Sequence, residues 1–227
     1  MKRGFSILAI VTALLLSFAL YEALIAAPTE RTMGDVQRIF YYHVPSAWTA
    51  FVLFLINFVA SVVFLIRRDT KADILALVTA EVGVVFCTVV LATGPIWARP
   101  VWGIWWTWDL RLTLTLVLWL IYVSYLVLRR FSASSQTPVL AAVLAIFGAL
   151  DVPLVYFSIW FFRTQHPSPV IGGGGSLDPR MAHVLLINWA AFLCLAWLVC
   201  WTRYRLEVVE REVEEAQALE SLLEDSR

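Results

Sequence analysis

Apolar residues run along this chain in six long blocks separated by short polar segments: Gly4 to Ala27, Ala47 to Ile66, Ile74 to Thr93, Leu112 to Leu128, Pro138 to Ser158 and His183 to Thr202. Crossing the hydrocarbon core of a bilayer as a helix takes roughly 20 apolar residues. Each block therefore predicts a membrane span, and the fourth, the shortest, is expected to extend at one end or the other. Met1, Lys2 and Arg3 before the first block resemble the start of a signal peptide. The block is long and has no small-x-small cleavage site, so it is read as a retained helix. Beyond the sixth block the pattern changes. Val209, Val213, Ala216, Leu219 and Leu223 recur at helical spacing among eight acids between Glu207 and Asp225, which predicts an amphipathic helix. It reads either as a solvated extension or as a docking element. The organisation expected is an all-α integral membrane protein, with a six-helix transmembrane unit over 1–202 and an acidic helical tail over 203–227. No internal repeat and no second folded domain is visible.

Composition agrees: 61% of the residues are hydrophobic and 15% charged, outside the usual range of water-soluble domains. The formal net charge is zero, but it is a sum over two aqueous sides, and no nucleic-acid function follows from it. Lys2, Arg3, Arg67, Arg68, Lys71, Arg129, Arg130, Arg203, Arg205, Arg211 and Arg227 fall on one side of the predicted spans, against six cations on the other. The positive-inside rule then puts both termini and the tail in the cytoplasm. The outer cations, Arg31, Arg38, Arg99, Arg111, Arg163 and Arg180, are all arginine, whose planar fork suits bidentate carboxylate binding. With only two lysines in the chain, chance distribution is the competing explanation. The outer loops are 28–46, 94–111 and 159–182, the last holding Gly172 to Gly175, expected to be a mobile hinge or lid. Cys87, Cys194 and Cys200 sit inside apolar blocks without C-x-x-C spacing and read as buried free thiols.

Five of the eleven tryptophans, Trp97, Trp102, Trp105, Trp106 and Trp108, crowd into one outer loop. An interfacial belt is the bland explanation, but a belt spreads over all helix ends. A single-loop cluster suits a platform on which a large flat apolar ligand lies against several indole faces. His43, just before Val44-Pro45, stands at the outer mouth of the second span, and His183 opens the sixth. Either alone reads as an interfacial residue; the pair, approaching from different helices at one depth, is what axial ligation of a haem iron requires. Arg99 and Arg111 flank the tryptophans and could pair with two propionates. Asp109 reads as an anchor for Arg111 or an indole N–H. His166, between Gln165 and Pro167, is expected to be solvent-exposed. Glu22, Glu81 and Asp151 fall inside apolar blocks; Glu22 is close enough to the outer end to reach the interface, and all three read as protonated helix-bonding groups rather than a transport route. Asn57 and Asn188 read as hydrogen-bonding glue.

The stretch WGIWWTWDLRLT, Trp102 to Thr113, resembles the tryptophan-rich WWD signature of haem-handling proteins, in the arrangement of the cytochrome c maturation protein C family. Tyr-Tyr-His-Val-Pro-Ser-Ala at 41–47 and Met-Ala-His at 181–183 are similar to that family's flanking histidine motifs. The resemblance covers roughly Arg38 to Trp189. It implies a haem b on the periplasmic face of a bacterial inner membrane, with His43 and His183 as iron ligands and Trp97, Trp102, Trp105, Trp106, Trp108 and Asp109 around the macrocycle. The partners it implies are a periplasmic haem chaperone (CcmE-like), ABC-type ATPase and permease subunits (CcmA- and CcmB-like) and a small membrane subunit (CcmD-like). The role implied is binding and transfer rather than catalysis.

Other classes remain open on residues alone. A b-type cytochrome subunit moving electrons to or from quinone would usually bury its histidines at two depths, whereas the candidate pair here lies at one edge. A thioether-forming haem lyase of the same motif group would carry more histidines than the three present. A permease of an ABC exporter is compatible with the absence of a phosphate-binding G-x-x-x-x-G-K-[ST] loop.

Overall fold

The computed structural model describes residues 2–132, 134–162, 164–168 and 177–225. The glycine run Gly172 to Gly175 and Arg163 lie outside the described residues. Among the described residues seven α-helices follow in chain order: α1 Lys2–Tyr21, α2 Phe40–Arg67, α3 Thr70–Trp102, α4 Leu110–Phe131, α5 Thr137–Ala149, α6 Asp151–Phe161 and α7 Pro179–Asp225. A π-helical turn, Glu22–Ala26, closes α1, and a 3-10 turn, Asp35–Ile39, leads into α2. Among the described residues the only strand-like pairing is an isolated bridge between Glu30 and Gly34. Among the described residues six segments are long and apolar enough to cross a membrane, α5 and α6 together making one of them. This is an all-α membrane protein.

The spans run longer than the apolar blocks. At about 1.5 Å per residue, the 33 residues of α3 reach about 50 Å, well beyond the roughly 30 Å hydrocarbon core. The overshoot lies in Gly94–Trp102, which the sequence assigns to a loop because of Gly94, Pro95 and Pro100. The structure corrects this: the helix continues through both prolines. Each proline removes one backbone donor, yet membrane helices tolerate this where the local environment satisfies the freed carbonyl. In the same way α2 starts at Phe40, with Pro45 inside it, so His43 sits in the helix and not ahead of it.

The fifth block, expected as one helix, is two. Pro153 has no N–H to give the carbonyl four residues back, and its ring crowds that carbonyl. The carbonyl belongs to Ala149, and that is where α5 ends, with α6 restarting at Asp151. Conversely, the sixth block and the acidic tail form a single helix of 47 residues.

At mid-bundle Phe54 of α2 stacks on Tyr122 of α4, ring centroids 3.8 Å apart and nearly parallel. Gly83 of α3 makes this possible, because a Cβ there would lie 2.6 Å from Phe54 Cε1. Asn57, fully buried, donates from Nδ2 to the Ala76 carbonyl at 2.7 Å, tying α2 to α3. Asn188 donates to the Ala19 carbonyl at 3.3 Å, joining α7 to α1. Both asparagines therefore bond across helices. Cys87 is buried and all three cysteines are free.

One end of the bundle holds a network of ion pairs that joins different helices. Asp73 of α3 accepts two bonds from Arg129 of α4, at 2.6 and 2.8 Å, and one from Arg211 of α7 at 2.9 Å. Glu207 accepts from Arg203 and Arg211, and Arg203 also pairs with Glu81 at 2.9 Å. Glu81 thus bonds across helices, from α3 to Arg203 of α7, a partner not visible from its own apolar block. Asp151 is buried, and its Oδ2 has no hydrogen-bond partner among the described residues.

Candidate functional site

The other end carries His43, His183 and the tryptophans. His43 faces α3: its Nδ1 lies 2.9 Å from Thr93 Oγ1, and it is half-buried. His166 and Arg111 are the charged or titratable groups within electrostatic reach of its ring. His166 in turn feels Arg111 and Asp109, so these four side chains share one neighbourhood.

His166 corrects the sequence expectation. It is half-buried instead of solvent-exposed, its backbone N–H donating to Thr164 Oγ1 at 3.1 Å and its Nδ1 lying 2.9 Å from the Pro167 carbonyl. Burial, and then the Arg111 guanidinium, push its imidazole down to about 4. It is therefore a neutral ring at physiological pH. The prolines around it suggested an exposed loop; what they could not show is that the segment folds back toward Arg111.

The tryptophan segment divides in two. Trp97 and Trp102 belong to the last turns of α3 and meet edge to face, centroids 5.2 Å apart. Gly103 then caps the helix at φ 79°, a left-handed conformation that glycine adopts without strain, its N–H returning to the Arg99 carbonyl. The Arg99 guanidinium donates to the Gly103 carbonyl from the other side. Trp105, Trp106 and Trp108 occupy the short connection to α4, with Trp106 and Trp108 edge to face at 5.8 Å. Trp105 and Trp108 are 59% and 75% exposed, a large apolar area that the described residues leave mostly uncovered. Trp106 Nε1 and Thr113 Oγ1 are buried without partners among the described residues.

Asp109 serves the fold. One carboxylate oxygen caps α4 by accepting from the Leu112 N–H at 3.1 Å, and the other accepts from Thr107 Oγ1 at 3.2 Å. This fixes the level of Arg111 two residues on, whose guanidinium reaches toward the Tyr156 carbonyl at 3.5 Å.

His183 stands apart from that neighbourhood. It lies in the first turns of α7, exposed, and lines a shallow cavity of about 320 Å³ with Glu22, Ala27, Pro28 and Arg180. Glu22 thus sits at the end of its helix, bordering this cavity. Asp178 stabilises the start of α7: the Arg180 N–H and side chain bond to its carboxylate and hold it below the usual carboxylate range. Between the two histidines, Tyr41, Val44 and Trp48 of α2 pack with Met181, Val184 and Leu185 of α7. The helix ends that carry them are therefore joined by an apolar seam, with the His43 ring bonded to Thr93 and His183 bordering the cavity.

Sequence reasoning missed Thr93, fifty residues from His43, and the grouping of His166 with Arg111. No periodicity reports either. A threonine at the end of an apolar block was the one available sign.

Comparisons with known proteins give the family. The family model described as haem exporter protein C matches residues 1–219. The chain is 35% identical to haem exporter protein C of Bradyrhizobium diazoefficiens over 217 residues, 94% of this chain and 82% of that protein. It is 30% identical to haem exporter protein C of Escherichia coli K12 over 202 residues, 88% of this chain and 82% of the relative. A ccmC-like mitochondrial protein of cytochrome c biosynthesis from Marchantia polymorpha is 31% identical over 182 residues, covering 80% of this chain and 78% of that one. This chain belongs to the haem exporter protein C family.

Proposed function

We propose that this chain binds haem b at the end of the bundle carrying His43, His183 and the tryptophans, and hands it on for the assembly of c-type cytochromes. The observation that carries the reading is the state of that end. A histidine is fixed through Nδ1 against α3, the helix that ends in Trp97 and Trp102 and leads into the exposed Trp105 and Trp108, and its Nε2 has no hydrogen-bond partner among the described residues. A haem has two needs beyond its iron ligands: apolar faces for the macrocycle and cations for its propionates. Trp105 and Trp108 supply the first, with Trp97, Trp102 and Trp106 behind them; Arg99 and Arg111 are suited to the second. The unpartnered Trp106 N–H is a further donor. The residues present therefore fit the group.

His43 and His183 are assigned to the iron as neutral imidazole ligands. In this reading the haem is cargo, and the chain's work is coordination exchange. It holds the iron, orients the porphyrin edge outward, and releases it to a periplasmic haem chaperone of the CcmE type. The drive for release comes from ABC-type ATPase and permease subunits (CcmA- and CcmB-like), with a small CcmD-like membrane subunit. The chain sits in the bacterial inner membrane with this end facing the periplasm and both termini in the cytoplasm, as the distribution of its basic residues supports. The six-helix unit over 1–202 then carries the haem chemistry and 203–227 the cytoplasmic tail.

The test is replacement of each histidine in the purified protein. His43→Ala and His183→Ala are each expected to lower the haem that co-purifies and to change its absorption spectrum. Unaltered haem content and spectrum in both variants would sink the ligand assignment.

A further inference from the structure

The contact between His43 and Thr93 settles more than a position. A threonine hydroxyl has one proton, and Thr93 Oγ1 directs it back along its own helix, 2.6 Å from the Val89 carbonyl. The Val90 carbonyl, 3.4 Å away, is a weaker acceptor for the same proton. With that proton committed, the oxygen meets His43 Nδ1 at 2.9 Å only as an acceptor. Nδ1 therefore carries the ring's hydrogen, and Nε2 of the neutral imidazole keeps a lone pair.

We propose that Thr93 is a positioning residue that fixes the tautomer and direction of His43, so that Nε2 is the nitrogen presented to the haem iron. The inference rests on the reading of His43 as an iron ligand. Two neighbours on α3 support it. The ring lies alongside α3 at Gly94, where an added Cβ would stand in ordinary contact, 3.4 Å from His43 Cε1. Trp97 follows Thr93 by four residues and so lies one turn along on the same face of α3, on the tryptophan side. One helical stripe thus holds both the group that aims the ligand and an indole of the platform.

A hydrogen bond from the outer ring N–H of a metal-bound histidine makes the coordinating nitrogen more basic, and its loss typically costs tenfold to a hundredfold in affinity. A more basic ligand favours the ferric over the ferrous state. In the full-length protein, Thr93→Val is therefore expected to weaken haem binding by about tenfold. It should also raise the haem midpoint potential and alter the Soret band. Thr93→Ser, which keeps the hydroxyl and its bond to the carbonyl four residues back, should restore all three. In a His43→Ala background Thr93→Val should produce no further change, because the threonine acts through the ring. Thr93→Ala is the second test of the lost hydroxyl should the valine variant not accumulate. If folded Thr93→Val or Thr93→Ala matches the parent in affinity and potential while His43→Ala loses haem, the positioning role is overturned and the ligand reading stands. If His43→Ala itself keeps haem and spectrum, it is the ligand reading that fails.

Discussion

The two ends of this bundle are built on opposite rules. At the end where α3 begins, three arginines and four acids close on one another. Asp73, 3% exposed, is gripped by Arg129 and Arg211, while Glu207, Glu210 and Glu81 engage Arg203. At the end where α3 finishes, strong groups are left over. Two indoles stand open to the surroundings, and among the described residues Trp106 N–H and Thr113 hydroxyl lack partners and His43 uses one ring nitrogen. Buried polar groups normally find partners. An end that satisfies its charges among its own residues holds the helices in place. Under the function proposed above, the difference gives stability to the first end and binding to the second, and it can be attacked from either side.

The largest effect is expected at Asp73. Asp73→Ala leaves Arg129, whose side chain is 10% exposed, and part of Arg211 without a counter-charge. Removing one partner of a buried pair costs about 3–5 kcal/mol. Thermal unfolding in detergent should register that loss, while haem bound per folded molecule stays unchanged. A fall in haem occupancy of the folded fraction would break the division of labour between the ends.

Trp105→Ala and Trp108→Ala are the converse. Both side chains are exposed, so unfolding should shift by no more than about 0.5 kcal/mol. Each lost stacking surface is worth about 0.5–1.5 kcal/mol to a flat ligand, which is about a twofold to tenfold weaker haem affinity. Equilibrium haem titration of the purified variants measures it, and unchanged affinity in both would remove the connection between the open indoles and the cargo.

Glu81→Gln tests how far the ion-pair rule extends. Glu81 and Arg203 are both 30% exposed, and Arg203 keeps Glu207 as a second partner. The loss should be about 0.2–1 kcal/mol, far below that at Asp73, measured in the same unfolding assay. A cost as large as that of Asp73→Ala would mean the network acts as one unit instead of having Asp73 as its centre.

What could be read from the sequence follows the same contrast. The six spans were legible because length and apolarity alone decide what a bilayer accepts, and the candidate end was legible because tryptophans and histidines are rare enough to stand out. Helix limits were not: Pro95 and Pro100 look like terminators but lie within α3, whereas Pro153 does coincide with a break. The pairings were least legible. Glu81 meets Arg203 across 122 positions and His43 meets Thr93 across 50, distances over which no local pattern carries information. The family resemblance supplied the histidines as a pair; it did not supply the hydroxyl that aims one of them.

The smallest expected effect concerns His166, at the binding end, in haem-free protein. Its imidazole is held down to about 4, first by burial and then by Arg111. In the unfolded chain it titrates near its ordinary 6.5. The folded state therefore binds its proton less readily than the unfolded state does. Stability from this group is present above about 6.5 and drains away as pH falls through 6.5 toward 4, because only the unfolded form gains by protonation. Part of the ring is in contact with solvent, so the slope should be shallow. Unfolding followed between pH 7 and 4 should show it, and His166→Gln should flatten the curve in that window while leaving the Asp73 end untouched. An identical pH profile in the variant would mean that the ring is more open to water than its place beside Arg111 indicates, and the cluster at the binding end would shrink to His43, Arg111 and Asp109.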